Sequence, residues 1–188
     1  IPVPLEEVYL SWQILADRGA LQEVFLVSVP RELVDASVQA LRLANIRPSL
    51  MDLKPLALAR AINKSQAVAA NFEADCLETA IVVNDTPVVM RAVTLIGESQ
   101  DAAEHTSRMV DELSRTVRFY NDSHKEAALP ADTPIYLTGA LAQNADLLDT
   151  VEGCLSYPVG VLEPPFRYPP AFPVALYMIN LGLALKQM

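Results

Sequence analysis

Few residues in this sequence have a type and spacing that would support catalysis. His105 and His124 lie far apart, one within a helical pattern and the other in a polar loop, so both are expected to face solvent. The nucleophile elbow Gly-x-Ser-x-Gly, the Walker A loop and the dinucleotide fingerprint Gly-x-Gly-x-x-Gly are all absent from the sequence. The common forms of nucleophilic and phosphate-loop chemistry are therefore not predicted.

The two cysteines, Cys76 and Cys154, have no second cysteine or histidine nearby at metal-ligand spacing. Zinc and redox motifs are therefore not predicted. Free buried thiols in a reducing compartment are the expected state, and a disulfide between the two residues stays open as the alternative.

One segment has the arrangement of a ligand-binding loop. A short apolar strand at 135–138 runs into Gly139, and a helix follows near 142–150. Strand, glycine, helix is the order that presents a loop to a ligand. It is equally the order of a plain tight connection, for which glycine supplies the backbone freedom. Both interpretations remain open from the residues alone.

Aromatic residues near the start of the chain suggest a binding surface. Alternation with a period of two puts Trp12, Leu10 and Ile14 on one face of a strand, and Tyr9 on the other. Burial of Trp12 in a core is the favoured interpretation, since large aromatic side chains are usually buried. The functional alternative is a sheet edge or helix groove that receives an apolar peptide from a partner. The residues that would form it are Tyr9, Trp12, Val34 and Leu41.

The elements that position these residues alternate between strands and helices. A hairpin at 8–15 and 22–29, a helix at 30–45, a third strand at 46–53 and a short helix at 55–62 come first. Strands at 68–72, 79–83 and 88–93, a long helix at 100–120, the strand at 135–138, the helix at 142–150, an irregular Pro-rich tail at 157–173 and a terminal helix from 174 follow. The composition changes near 63–67. We therefore predict an α/β (α+β) chain with two domains, 1–62 and 63–188.

Composition narrows the function classes. A chain of 188 residues that is 52% hydrophobic can bury a substantial core. The net charge of −9 and the absence of a local basic cluster argue against nucleic-acid binding. The longest apolar stretch, 174–185, is too short for a bilayer span and contains Asn180, so no transmembrane segment is predicted. The start at Ile1, without methionine or a signal-like region, suggests a piece of a longer protein.

Taken in order, several segments resemble the family of type IV pilus assembly protein PilM, also called competence protein A. This family is related to the division protein FtsA within the actin-like ATPase superfamily. The similar segments are FLVSVPRELV at 25–34, NIRP at 45–48, MDL at 51–53, ALARA at 57–61, the hairpin 80–93 with its Arg91, ELSRTVRFY at 112–120, IYLTG at 135–139 and LGLAL at 181–185. The resemblance runs nearly from end to end of the chain.

The resemblance implies a partial actin-like fold, with a small SHS2-like subdomain and a connecting helix at 1–62 and one RNase H-like lobe at 63–188. It also implies a cytoplasmic scaffold at the inner membrane, held there by the cytoplasmic tail of a PilN-like partner, with self-association as a possibility. Members of the family bind ATP between two lobes. The first lobe would precede Ile1, and Arg91 is expected to form a structural ion pair.

The family's second phosphate loop aligns with 71–75 and the nearby Thr79. Asn71 replaces the carboxylate that holds Mg²⁺ through water, and Glu73 replaces a glycine, so both changes oppose polyphosphate binding. Asp75 would supply the carboxylate only if the loop were slipped. On the adenine side, Thr138 and Gly139 match, whereas Ala140 stands where a second glycine is usual. Together, these matches and departures imply a degenerate ATP site with no catalytic residue and no metal ligand.

The leading expectation is a scaffold of pilus assembly or DNA-uptake competence that binds the tail of an inner-membrane protein and needs no cofactor in this chain. One alternative is a nucleotide-binding actin-like ATPase whose first lobe lies upstream, with ATP and Mg²⁺ bound by the longer protein. The other is an FtsA-like polymerising protein.

Overall fold

The computed structural model describes residues 4–17, 19, 21–95, 102–162 and 167–186. The chain divides into two compact units, Ile1–Met51 and Asp52–Met188. The strands are β1 Val8–Asp17, β2 Gln22–Pro30, β3 Gln66–Phe72, β4 Cys76–Val83, β5 Thr86–Thr94, β6 Ile135–Thr138 and β7 Val159–Val161. The helices are α1 Arg31–Leu43, α2 Lys54–Ile62, α3 Ala102–Ser123, α4 Ala145–Cys154 and α5 Met178–Ala184, with 3₁₀ turns at Leu5–Glu7, Lys125–Ala127 and Val174–Tyr177.

The first unit is an antiparallel hairpin followed by a helix. Strands β1 and β2 pair along their length, with an irregularity between Ile14 and Ala16. Helix α1 ends in a Schellman motif: the amide of Asn45 donates to the carbonyl of Arg42, and the amide of Ile46 donates to that of Leu41. Asn45 has a φ of 60°, a left-handed conformation that asparagine tolerates better than most residues. The chain therefore turns sharply away from the helix axis at this point.

The predicted third strand at 46–53 is not formed. These residues have no regular secondary structure in the described chain, and the sheet of the first unit has two strands. Pro48 lacks the amide hydrogen that a strand ladder needs, and the turn at Asn45 diverts the chain just before it. Hydrophobic residues in this stretch were mistaken for a strand because short apolar runs carry little periodic information.

The second unit is a five-stranded mixed sheet with helices on both faces. The strand order is β5-β4-β3-β6-β7, with β3, β4 and β5 antiparallel and β6 and β7 parallel to β3. One core packs α3 and α4 against the face that carries Val68, Ala70 and Phe72. The other core packs α2 and α5 against the face that carries Ala67 and Ala69. Short β7 lies within the segment that was predicted to be irregular.

Helix α2 packs against α5 at very short range. A Cβ atom added to Gly182 would lie 1.8 Å from the carbonyl oxygen of Ala57, so only glycine permits this approach. Nearby, the side chain of Asp52 is 4% exposed and forms ion pairs of 2.9 Å with Arg60 and 3.3 Å with Lys186. The compact unit therefore begins at Asp52 and includes α2, whereas the sequence-based boundary, at residues 62 and 63, grouped this helix with the first domain.

Candidate functional site

A cluster of polar side chains, which we call the Asn71 cluster, lies at the end of β3, the central strand of the sheet. Its members are Asn71 and Glu73 near the end of β3, Glu78 on β4, Thr138 at the end of β6 and Lys54 at the start of α2. Antiparallel pairing places Asn71 directly opposite Glu78, and parallel pairing places it beside Thr138. The sheet topology therefore brings together residues that are far apart in sequence.

Every hydrogen-bonding group of the Asn71 side chain is in use. Its amide nitrogen donates to Glu78 Oε2 at 2.7 Å and to Glu73 Oε1 at 3.1 Å. Its amide oxygen accepts a hydrogen bond from Thr138 Oγ1 at 3.0 Å. Asn71 and Thr138 are both buried, where an unpaired polar group would be costly. The asparagine thus serves as an internal donor between two carboxylates.

One of the two carboxylates of this cluster has a cationic partner within the chain. Lys54 Nζ lies 2.7 Å from Glu78 Oε1, and the Glu78 side chain is only 3% exposed. The hydrogen bond to Glu78 raises the pKa of Lys54 above its usual 10.5, against the opposing effect of partial burial. Lys54 is therefore charged at neutral pH and supplies the cation that a buried carboxylate needs.

The residue arrangement does not fit a nucleotide phosphate with its metal. The family resemblance would place a metal-holding carboxylate at the position of Asn71, and Mg²⁺ sites with phosphate are built from carboxylate and phosphate oxygens. Asn71 instead presents N–H groups to Glu73 and Glu78, and those carboxylates would repel a polyphosphate. Across the described residues, His, Cys, Asp and Glu form no group of three that could hold a metal ion.

Gly139 has a structural role in the neighbouring connection. Its φ is 92°, and a Cβ atom built on it would lie 2.5 Å from the carbonyl oxygen of Phe72. Its amide donates to the carbonyl of Ala175. The glycine is therefore required by close packing of the β6–α4 connection on the end of β3, whether or not a ligand is bound. Ala140, the next residue, is exposed.

The remaining predicted residues lie outside the cluster. Thr79 is buried and follows Glu78 on β4, so its side chain points to the opposite face of the sheet. Asp75 is exposed at the hairpin between β3 and β4, and its carbonyl accepts a hydrogen bond from the amide of Leu95. Sequence reasoning missed Lys54 and Glu78. A carboxylate within an otherwise apolar strand was the available signal, because a charge buried in a sheet needs a partner.

Both cysteines are free thiols, as expected from the sequence. The expectation that they are buried is wrong, because neither is fully buried. Cys76 is half-buried at the start of β4, and Cys154 is exposed. Burial, followed by the negative charge of Glu78, raises the pKa of Cys76 above 9.0. The Cys76 thiol is therefore protonated at neutral pH. The expected ion pair of Arg91 is formed, with Glu112 Oε2 at 2.8 Å.

The first unit carries an exposed apolar surface on its hairpin, which we call the Trp12 face. Trp12 lies opposite Leu26, and Ile14 lies opposite Val24, so the four side chains share one face of the sheet. All four are exposed, and Trp12 is 67% exposed, which contradicts the favoured expectation that it is a core residue. Burial is low because the one α-helix in the described part of this unit, α1, contacts Tyr9 on the other face.

The other face of the hairpin is turned toward α1. Tyr9 Oη donates to Asp35 Oδ1 at 3.0 Å, and the guanidinium of Arg31 lies 4.4 Å from the centre of the Tyr9 ring. Val34 and Leu41 are half-buried on α1, most of whose other residues are exposed. The four residues predicted to bind a partner therefore do not form one surface. Tyr9 and Trp12 lie on opposite faces of the hairpin, with Trp12 on the open one, whereas Val34 and Leu41 lie on α1.

No family model and no curated protein matches this chain. Solved structures do match. A PilM–PilN type IV pilus biogenesis complex superposes with a TM-score of 0.59 at 22% identity, over 98% of this chain and 68% of the other. The cytoplasmic domain of EpsL, an inner-membrane component of the type II secretion system of Vibrio cholerae, gives 0.51 at 14% identity, over 100% and 60%.

A third match is a Bacteroides thetaiotaomicron protein of actin-like ATPase fold and unknown function, with a TM-score of 0.50 at 11% identity over 97% of this chain and 61% of the other. The chain thus spans between 60% and 68% of the length of these three structures. Identities this low establish the fold alone. This mixed α/β chain has the fold of the actin-like ATPases over most of its length.

Proposed function

We propose that this chain is a docking module of a cytoplasmic scaffold at the inner membrane, and that it binds an apolar segment in the tail of a PilN-like membrane protein. The observation that carries the proposal is the Trp12 face, an apolar surface with no helix over it in the first unit. Contiguous exposed apolar patches of this kind usually mark sites of interaction. The fold similarity to PilM, in a structure that also contains PilN, supports the choice of partner.

The composition of the Trp12 face suits a peptide with apolar side chains. Its central cross-strand pairs are Trp12 with Leu26 and Ile14 with Val24, and none of these residues is charged. Tryptophan in a fully desolvated contact is among the residues that contribute most to binding. Neither β1 nor β2 has a second strand beside it in the described chain, so backbone hydrogen bonds at an edge are also open to a peptide strand.

The Asn71 cluster supports a function that does not depend on nucleotide. Asn71 donates to both Glu73 and Glu78, and Lys54 pairs with Glu78, so these groups already have partners without a phosphate or a metal ion. The scaffold is therefore preferred over the nucleotide-dependent alternatives. In the described residues, no helix has both the length and the apolar character that a bilayer span requires.

The test is an NMR titration of the chain with a synthetic peptide of the N-terminal cytoplasmic tail of a PilN-type protein. Resonances of residues 8–53, above all the Trp12 indole N–H, are expected to shift and saturate. Trp12→Ala is expected to weaken binding at least tenfold, since loss of an interface anchor costs about 2 kcal/mol or more.

Phe119→Ala is the matched control because Phe119 is an aromatic residue in the second unit that is 66% exposed, against 67% for Trp12. This variant is expected to bind the peptide like the unmodified chain. Shifts confined to residues 130–188, or an equal loss of affinity in the two variants, would contradict the proposal.

A further inference from the structure

A polar cleft at the end of α1 has features of an anion-binding site. Its volume is about 570 Å³, and its lining residues are Arg42, Asn45, Arg47 and Pro48. We name it the Arg42 cleft. Among the described residues, its lining includes two arginines and no carboxylate. The two guanidinium groups give the cleft a local positive charge in a chain whose net charge is −9.

Neither arginine forms an ion pair with a carboxylate of the described residues. Arg31, on the same helix, illustrates the contrast, because its guanidinium donates to the carbonyl of Val8 and lies over the Tyr9 ring. Arg42 and Arg47 are both exposed and both line the cleft. A guanidinium group offers five donors in a planar fork that matches an oxyanion with two oxygens.

The backbone around the cleft is ordered by local hydrogen bonds before any ligand binds. The carbonyls of Ala40, Leu41 and Arg42 accept hydrogen bonds from the residues that follow the helix. Capping in this way reduces the number of free carbonyl oxygens that would repel an anion at a helix C-terminus. Arg47 stands between this turn and Pro48, which restricts its backbone to extended conformations. Little backbone entropy is therefore lost when Arg47 binds a ligand.

We infer that the Arg42 cleft binds a carboxylate group of an acidic peptide segment, with Arg42 and Arg47 as its charged donors and Asn45 as a neutral one. The chemistry recognised is an oxyanion with two equivalent oxygens. A peptide is favoured over an anionic bilayer because the cleft is concave, whereas a bilayer presents an extended and nearly flat surface to a protein. The site is separate from the Trp12 face and does not rest on the proposed docking function.

The inference is tested with an acetylated tetraglutamate peptide at physiological salt. The arginine Nε–Hε resonances of the chain are followed by NMR, with tetraglutamine as the uncharged control peptide. Those of Arg42 and Arg47 are expected to shift saturably with tetraglutamate and to remain in place with tetraglutamine. Arg47→Gln and Arg42→Gln are each expected to weaken binding about tenfold. Arg47→Lys should bind with an affinity between those of the unmodified chain and Arg47→Gln, because lysine keeps the charge but lacks the planar guanidinium group.

Arg118→Gln is the matched control because Arg118 is an exposed helical arginine in the second unit, and its loss changes the net charge by the same amount. It is expected to leave tetraglutamate binding unchanged, and circular dichroism shows whether each variant keeps its fold. Three outcomes would overturn the inference: shifts of equal size at Arg118, binding to phosphatidylglycerol vesicles without binding to the peptide, or a response to inorganic phosphate alone, which would indicate an adventitious ion only.

Discussion

Replacing Asn71 by aspartate is the sharpest test of the Asn71 cluster. The substitution is nearly isosteric, and it restores the carboxylate that the actin-like phosphate loop would require. It also turns a donor into an acceptor 2.7 Å from one oxygen of Glu78 and 3.1 Å from one of Glu73. Two unit charges at 2.7 Å repel by about 6 kcal/mol at an effective dielectric constant of 20.

The folded variant has a less costly route, which is to bind a proton. Two carboxyl groups that share a site titrate above the usual glutamate pKa of about 4.3, and a shared proton restores the hydrogen bond. Protonating a carboxyl group whose unfolded-state pKa is about 4.3 costs about 4 kcal/mol at pH 7 and about 1 kcal/mol at pH 5. Stabilisation by this proton is complete below the unfolded-state pKa and is lost as pH rises, so the variant loses stability from pH 5 to pH 7.

The measurement is urea unfolding followed by far-ultraviolet circular dichroism at both pH values. Asn144→Asp is the matched control because Asn144 caps α4 and accepts a hydrogen bond from the amide of Asp146, a role that aspartate fills equally well. Asn71→Asp is expected to lose about 3 kcal/mol more stability at pH 7 than at pH 5, relative to this control. A pH-independent difference, or unaltered stability, would refute the internal-donor role of Asn71.

Two further predictions concern single side chains. Gly182→Ala is expected to destabilise the second unit by about 3 kcal/mol or more through its clash with an α2 carbonyl, whereas Gly153→Ala, where nothing lies within 4 Å, should stabilise α4 by about 0.5 to 1 kcal/mol. Equal thermal shifts for the two variants would contradict the close α2–α5 packing. In alkylation with iodoacetamide, Cys76 should react more slowly than Cys154 at pH 8, because burial and Glu78 raise the pKa of Cys76. Glu78→Gln should increase the alkylation rate of Cys76 and leave that of Cys154 unchanged. A lower rate at Cys76 would show that Glu78 does not control the reactivity of this thiol.

Much of the fold was predictable because its periodic patterns are strong. The amphipathic pattern of α3 and the short apolar runs of β3 to β5, bounded by turn residues, predicted the correct elements, and the mixed α/β class follows from their order. The strand predicted at 88–93 begins two residues earlier, at Thr86. The preceding turn needs only Asn84 and Asp85, which have positive φ, and Pro87 already lies in the edge strand. Edge strands tolerate proline because one side of the ladder is unpaired.

The site was less predictable because it depends on register. Sequence similarity drew attention to Asn71, Glu73 and Thr138, but nothing in the linear sequence pairs Asn71 with Glu78 or brings Lys54 to the same point. The exposure of Trp12 was missed for a related reason. Alternation assigns Trp12 to a face, but whether another element covers that face depends on tertiary packing.

The ion pairs of Asp52 have a mechanical consequence. Tension applied through the segment before Asp52 enters the second unit at a side chain held by Arg60 and Lys186. Close packing of α2 on α5 resists the same load, because displacement of α2 must separate Ala57 from Gly182. Asp52 and α2 come before β3 along the chain. A pull on the segment before Asp52 therefore reaches the ion pairs and the α2–α5 contact before it reaches the central strand.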